Sequence, residues 1–280
     1  MNFSKRSIIY GLVTTLVIFL VALGFWFGKD ALKPTASQEE PMNDFVVLAL
    51  ERARENDAEG AIEALNIAIA SDPDGADEAY YYRGIIHAQL GDLGASRADL
   101  DLAIAANPHK PEYFAARGTT YAALGRPASA IEDFNKALEL SPDHAPTIVN
   151  RGQAYMQLEI YDLAFADYTR AIELNPDIVA AYFNRGVLYL QTEEIEKAIE
   201  DFGICIDLDP EIPAPYFNRA VAYMEADKLD LALADLTLFM TLTDDENTLH
   251  QAEMLMESIA SGEGLSGHNS ETITEEASGD

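Results

Sequence analysis

Arginine and aspartate recur in this chain at a spacing that could build a charged site. Arg83, Arg117, Arg151, Arg185 and Arg219 stand 34 residues apart, and each is followed 16 residues later by Asp99, Asp133, Asp167, Asp201 or Asp235. Five pairs in phase could line a polar surface, or each could close on itself as a structural ion pair. Pairing between neighbouring units would strand Arg83 and Asp235, whereas pairing within each unit leaves no residue over. The first unit, with Leu48 and Ala64 in these columns, lacks both partners together. Ion pairs inside each unit are therefore expected, and partly buried pairs of this kind fix register more dependably than they add stability.

The other residues capable of chemistry form no constellation. Asp72, Asp74, Gly75 and Asp77 echo a calcium loop, but the spacing is wrong and no closing acid follows. His87, His109, His144, His250 and His268 lack metal-ligand spacing, and no phosphate loop or nucleophile elbow is present. The one cysteine, Cys205, shares a column with Ala103, Ala137 and Ala171, which reads as a small buried residue. No catalysis, metal or cofactor is expected.

The elements that carry these columns repeat with them. Pro108, Pro142, Pro176 and Pro210 keep the same interval, each placed to end a helix. An aromatic or aliphatic residue (Phe45, Tyr80, Phe114, Ile148, Tyr182, Tyr216) is followed four residues on by a small one (Ala49, Gly84, Gly118, Gly152, Gly186, Ala220). Downstream, Ala130, Phe134 and Ala137 recur as Ala164, Tyr168 and Ala171. Spacings of three and four put each set on one helical face, so a small residue on one helix admits a large one from its neighbour. Units that bury their apolar faces only against one another make a solenoid.

On these residues the chain resembles the tetratricopeptide repeat family. The resemblance covers 42–246 as six units: 42–76, 77–110, 111–144, 145–178, 179–212 and 213–246. It implies an all-α fold, a superhelix of helix-turn-helix repeats. Leu249, Ala252, Met256 and Ile259 lie at helical spacing and predict a capping helix over 247–260. Residues 261–280 are polar and acidic, a composition that does not order itself.

The N-terminus is of another kind. After a short tail, 1–7, residues 8–28 contain an uncharged apolar run long enough to span roughly 30 Å of hydrocarbon. Lys5 and Arg6 precede it, and Phe25, Trp26 and Phe27 close it like an interfacial anchor. The reading is a single-pass transmembrane helix, with residues 29–41 as linker and the repeats outside the cytoplasm. A signal peptide cleaved after Gly24 is the alternative. With 48 acidic against 18 basic residues, the formal charge of −30 argues against nucleic-acid binding.

The resemblance implies binding of a peptide or helix in a concave groove lined by the first helices. Val149, Gln153, Met156, Phe183, Val187, Leu190, Phe217, Val221 and Met224 are the expected partner-binding positions, an apolar floor for an unidentified protein. The role expected is a membrane-anchored scaffold in a bacterial envelope. The alternative is a self-associating scaffold whose groove receives another copy.

Overall fold

The computed structural model describes residues 43–261. The tail, the apolar run, the linker and the acidic terminus from 262 onward lie outside the described residues, and with them the expected membrane anchor. Among the described residues no helix is long and apolar enough to cross a membrane. These residues form thirteen α-helices and no strand.

In chain order they are α1 (Asp44–Arg54), α2 (Ala58–Ser71), α3 (Asp77–Gln89), α4 (Leu93–Ala106), α5 (Pro111–Ala123), α6 (Pro127–Leu140) and α7 (Ala145–Gln157). Then follow α8 (Tyr161–Leu174), α9 (Val179–Gln191), α10 (Ile195–Leu208), α11 (Pro213–Glu225), α12 (Leu229–Leu242) and α13 (Glu246–Ala260). The chain divides into two compact units between Leu188 and Tyr189, inside α9.

The punctuation is local. Asp57, Asp92 and Asp245 cap α2, α4 and α13 by accepting the amides of Gly60, Ala95 and Thr248, which satisfies donors that a helix start leaves open. Asn107, Asn175 and Asp209 end α4, α8 and α10 in extended conformations, and Ser141 ends α6 in a non-helical one. Each precedes one of the periodic prolines, whose ring disfavours helical backbone at the residue before it. The turn inside each pair has one residue at positive φ: Asn56, Gly91, Gly125, Glu159, Glu193 and Asp227. A left-handed residue ends the first helix and turns the chain toward the second.

The small columns do what their spacing implies. A Cβ on Gly118 would stand 2.7 Å from the Phe134 ring, and one on Gly152 would stand 2.7 Å from that of Tyr168. Both rings are fully buried, so glycine is what lets the two helices of a pair close over them. In the unit of residues 189–261 the corresponding residues are Ala220 and Leu236, again fully buried. The cap helix α13 buries Ala252 and Ile259 and leaves Leu249 and Met256 partly exposed.

Candidate functional site

The arginine column occupies the first helix of each pair and the aspartate column the second. Arg83 donates to Asp99 through Nε and Nη2, at 2.8 and 2.6 Å. Arg117 holds Asp133 at 2.8 and 2.7 Å, and Arg151 holds Asp167 at the same two distances. In the second unit Arg219 forks onto Asp235 at 2.7 and 2.9 Å. Arg185 and Asp201 fall in different units; the Arg185 guanidinium lies 5.6 Å from the centroid of the Tyr182 ring.

Each carboxylate of these four pairs is buried, and each arginine lies against an aromatic ring of its own helix. The hydrogen bond to its aspartate is the largest influence holding each of these guanidinium groups charged. Burial pushes the Asp133 carboxyl up against the opposing pull of Arg117. At this pair the cost of desolvation opposes the attraction, as expected for a pair that sets register.

A third bond was not legible in the pairing argument. The remaining guanidinium nitrogen, Nη1, reaches back to the second helix of the preceding pair. Arg83 donates to Asn66 at 2.5 Å, Arg117 to Asp101 at 2.8 Å and Arg151 to Asn135 at 2.8 Å. The same arginine thus closes its own pair and ties that pair to the one before. The signal lay in the column 16 or 17 residues ahead of each arginine: Asn66, Asp101, Asn135, then Thr169 and Gly203. The polar run fades along the chain, and the Thr169 hydroxyl is buried with no hydrogen-bond partner among the described residues.

The expected apolar floor differs from what the fold presents. In the first unit Val149, Gln153 and Val187 are buried, Met156 is 9% exposed, and only Phe183 is partly open. In the second unit Phe217, Val221 and Met224 are buried, and Leu190 is partly open. Contacts between successive first helices close part of this face. The Tyr81 and Tyr113 rings meet at 4.9 Å, and Asn150 donates to the Thr119 hydroxyl at 3.4 Å. Met156 is not a free adaptable surface, because its Sδ accepts the Tyr168 hydroxyl at 3.2 Å. The first helices carry fewer open apolar side chains at these positions than their sequence suggests.

Other reactive groups are accounted for by packing. Burial pushes the Cys205 thiol up to about 12, with Asp201 adding to it, which removes the thiolate at neutral pH. Among the described residues no group of three His, Cys, Asp or Glu side chains could hold a metal ion. Asp77 accepts the Tyr113 hydroxyl at 2.9 Å and the Asn107 amide at 3.2 Å, serving a structural role at the start of α3.

Comparison with known proteins adds to this geometry. Tetratricopeptide repeat families match residues 46–111, 111–144 and 179–212, and a family described as TPR repeat matches 152–193. No curated protein matches the sequence. Among solved structures, a tetratricopeptide repeat protein from Parabacteroides merdae is 22% identical, with a TM-score of 0.65 over 79% of this chain and 86% of its own. PilW, a widely conserved type IV pilus biogenesis factor, is 21% identical, with a TM-score of 0.65 over 73% of this chain and 96% of its own. YrrB, a TPR protein with an unusual peptide-binding site, is 21% identical, with a TM-score of 0.51 over 69% of this chain and 99% of its own. At these identities the structures speak for the fold, and the family matches between 46 and 212 speak for the family. The chain belongs to the tetratricopeptide repeat family.

Proposed function

We propose that this protein is a membrane-anchored scaffold that binds a peptide or helix of another protein on the inner face of its first helices, in assembly of a complex of the bacterial envelope. The observation that carries this reading is the division of labour among its polar groups. The recurrent arginines, aspartates and buried tyrosines are engaged in holding helix pairs together, so the surface left for function is one for contact. Fold likeness to PilW and YrrB, one a pilus biogenesis factor and the other carrying a peptide-binding site, supports a contact role. The apolar run at 8–28 motivates the membrane anchor, with the repeats outside the cytoplasm.

The burial of the inner face sharpens the expected mode of binding. Phe183 is the partly open position of the first unit and Leu190 that of the second, so a partner of either unit meets that residue first. Val149, Gln153, Met156, Val187, Phe217, Val221 and Met224 become available only as inner-face contacts rearrange. A photo-crosslinking residue at Phe183 of the full-length protein, in its native cells, tests this. A reproducible adduct to one other protein supports the scaffold and names its partner. Adducts to this chain alone replace it with the self-associating scaffold. Protease protection of the repeats in intact cells, lost when the outer envelope is opened, checks the orientation.

A further inference from the structure

The arginine staples are not equivalent: the third bond made by Arg83, Arg117 and Arg151 is missing at Arg219, whose joint lies wholly within the second unit. In the first unit three guanidinium groups each bind an aspartate of their own pair through Nε and Nη2. Each also binds Asn66, Asp101 or Asn135 of the preceding pair through Nη1. Arg219 on α11 keeps the fork onto Asp235 of α12. The residue on α10 in the anchoring column is Gly203, and among the described residues no acceptor lies on Arg219 Nη1. A Cβ built on Gly203 would stand 3.7 Å from that nitrogen. The arginine is thus in place and the side chain that should meet it is missing.

We infer that the α10–α11 joint is a yielding joint, held by apolar packing without the directional bond that fixes register at the α2–α3, α4–α5 and α6–α7 joints. Packing between helices is nondirectional and tolerates small sliding, whereas a charged hydrogen bond across the joint resists it. Helices α11, α12 and α13 therefore shift on α10 more readily than α7 shifts on α6. Phe217, Val221 and Met224 ride on α11, so the face they form is adjustable where those of α3, α5 and α7 are tied to the pair before. The inference stands whether or not that face binds a partner.

Hydrogen exchange read by mass spectrometry on the full-length protein tests it. Gly203→Asn supplies the missing acceptor. Gly203→Ala is its control, because it brings the helix-favouring Cβ, in ordinary contact at 3.7 Å, without the oxygen. Relative to that control, Gly203→Asn is expected to slow exchange of α11 amides by about fivefold to tenfold, the scale of one net hydrogen bond. Asn135→Ala, which removes an existing anchor, is expected to speed exchange in α7 by a similar factor. Equal exchange in Gly203→Asn and Gly203→Ala overturns the inference, as does unchanged α7 exchange in Asn135→Ala. Slowing that persists when Arg219→Lys is added also overturns it, because the gain would then not run through the guanidinium.

Discussion

In the unit of residues 43–188, Arg83, Arg117 and Arg151 are each held on three sides: by the aspartate of their own pair, by a ring of their own helix, and by a polar side chain of the pair before. In the unit of residues 189–261, Arg219 has the first two and lacks the third. The turns divide less cleanly: in the first unit Gly91 and Gly125 take the left-handed conformation beside Asn56 and Glu159, whereas both such residues of the second unit, Glu193 and Asp227, carry a Cβ that makes it costly. One repeated pattern therefore ties its joints unequally. The arginine and aspartate columns are kept from the second pair to the last, and the column that ties one pair to the next lapses toward Thr169 and Gly203.

The largest effects should come from the aspartates. Asp235→Ala leaves Arg219 with no acceptor among the described residues and is expected to cost about 3 kcal/mol in thermal or denaturant unfolding. Asp167→Ala leaves Arg151 its bond to Asn135, so a cost of about 2 kcal/mol is expected. Equal losses would break the contrast between the two staples. Next, Gly152→Ala forces a methyl group against the Tyr168 ring and should cost about 2 kcal/mol. Adding Tyr168→Leu, which recreates the Ala220 and Leu236 combination of the last pair, should recover part of it. If the double variant is less stable than the sum of the two changes, the small and large columns do not compensate as the geometry requires.

Smaller changes probe the turns and the anchors. Glu193→Gly is expected to raise stability by about 1 kcal/mol, because it relieves a left-handed residue that carries a Cβ. Gly91→Glu should lower stability by a similar amount, and a null result in both would show that the turns contribute nothing to the difference between the units. The smallest effect is on pH. Burial raises Tyr81, Tyr113 and Tyr168 above their ordinary value of 10.0 and Cys205 from 9.0 to about 12. The unfolded chain loses these protons first, so the folded state binds more protons above pH 9 and stability falls as pH rises. A loss of about 0.5 kcal/mol between pH 7 and pH 9 is expected, most of it from Cys205 in the second unit. Cys205→Ala should remove that part, and an unchanged slope would count against a buried protonated thiol.

Much of this was legible from residue order. The phase of Arg83, Arg117, Arg151 and Arg219 with Asp99, Asp133, Asp167 and Asp235, one column on each helix of a pair, foretold the partners that meet inside these four pairs, because both elements are set by local periodicity. The inner face was less legible. Val149, Phe217 and Met224 stand at positions that a single helix presents outward. Whether such a position is open depends on what the next helix brings against it, as Tyr81 and Tyr113 illustrate. The tie on Met156 is not visible along its own helix, because the Tyr168 hydroxyl that it accepts comes from the second helix of the pair, 12 residues on.

The amino-acid sequence by itself determined the helices, their pairing, the turn and proline stops, and the fit of small residues to large ones. Each of these depends on neighbours within one repeat, where spacing along the chain translates directly into position. Only the tertiary structure decided which side chain the third guanidinium nitrogen meets, which inner-face residues remain open, and where a joint has no tie. Those outcomes depend on the approach of one helix pair to the next. There a missing side chain at Gly203 matters only because Arg219 arrives beside it.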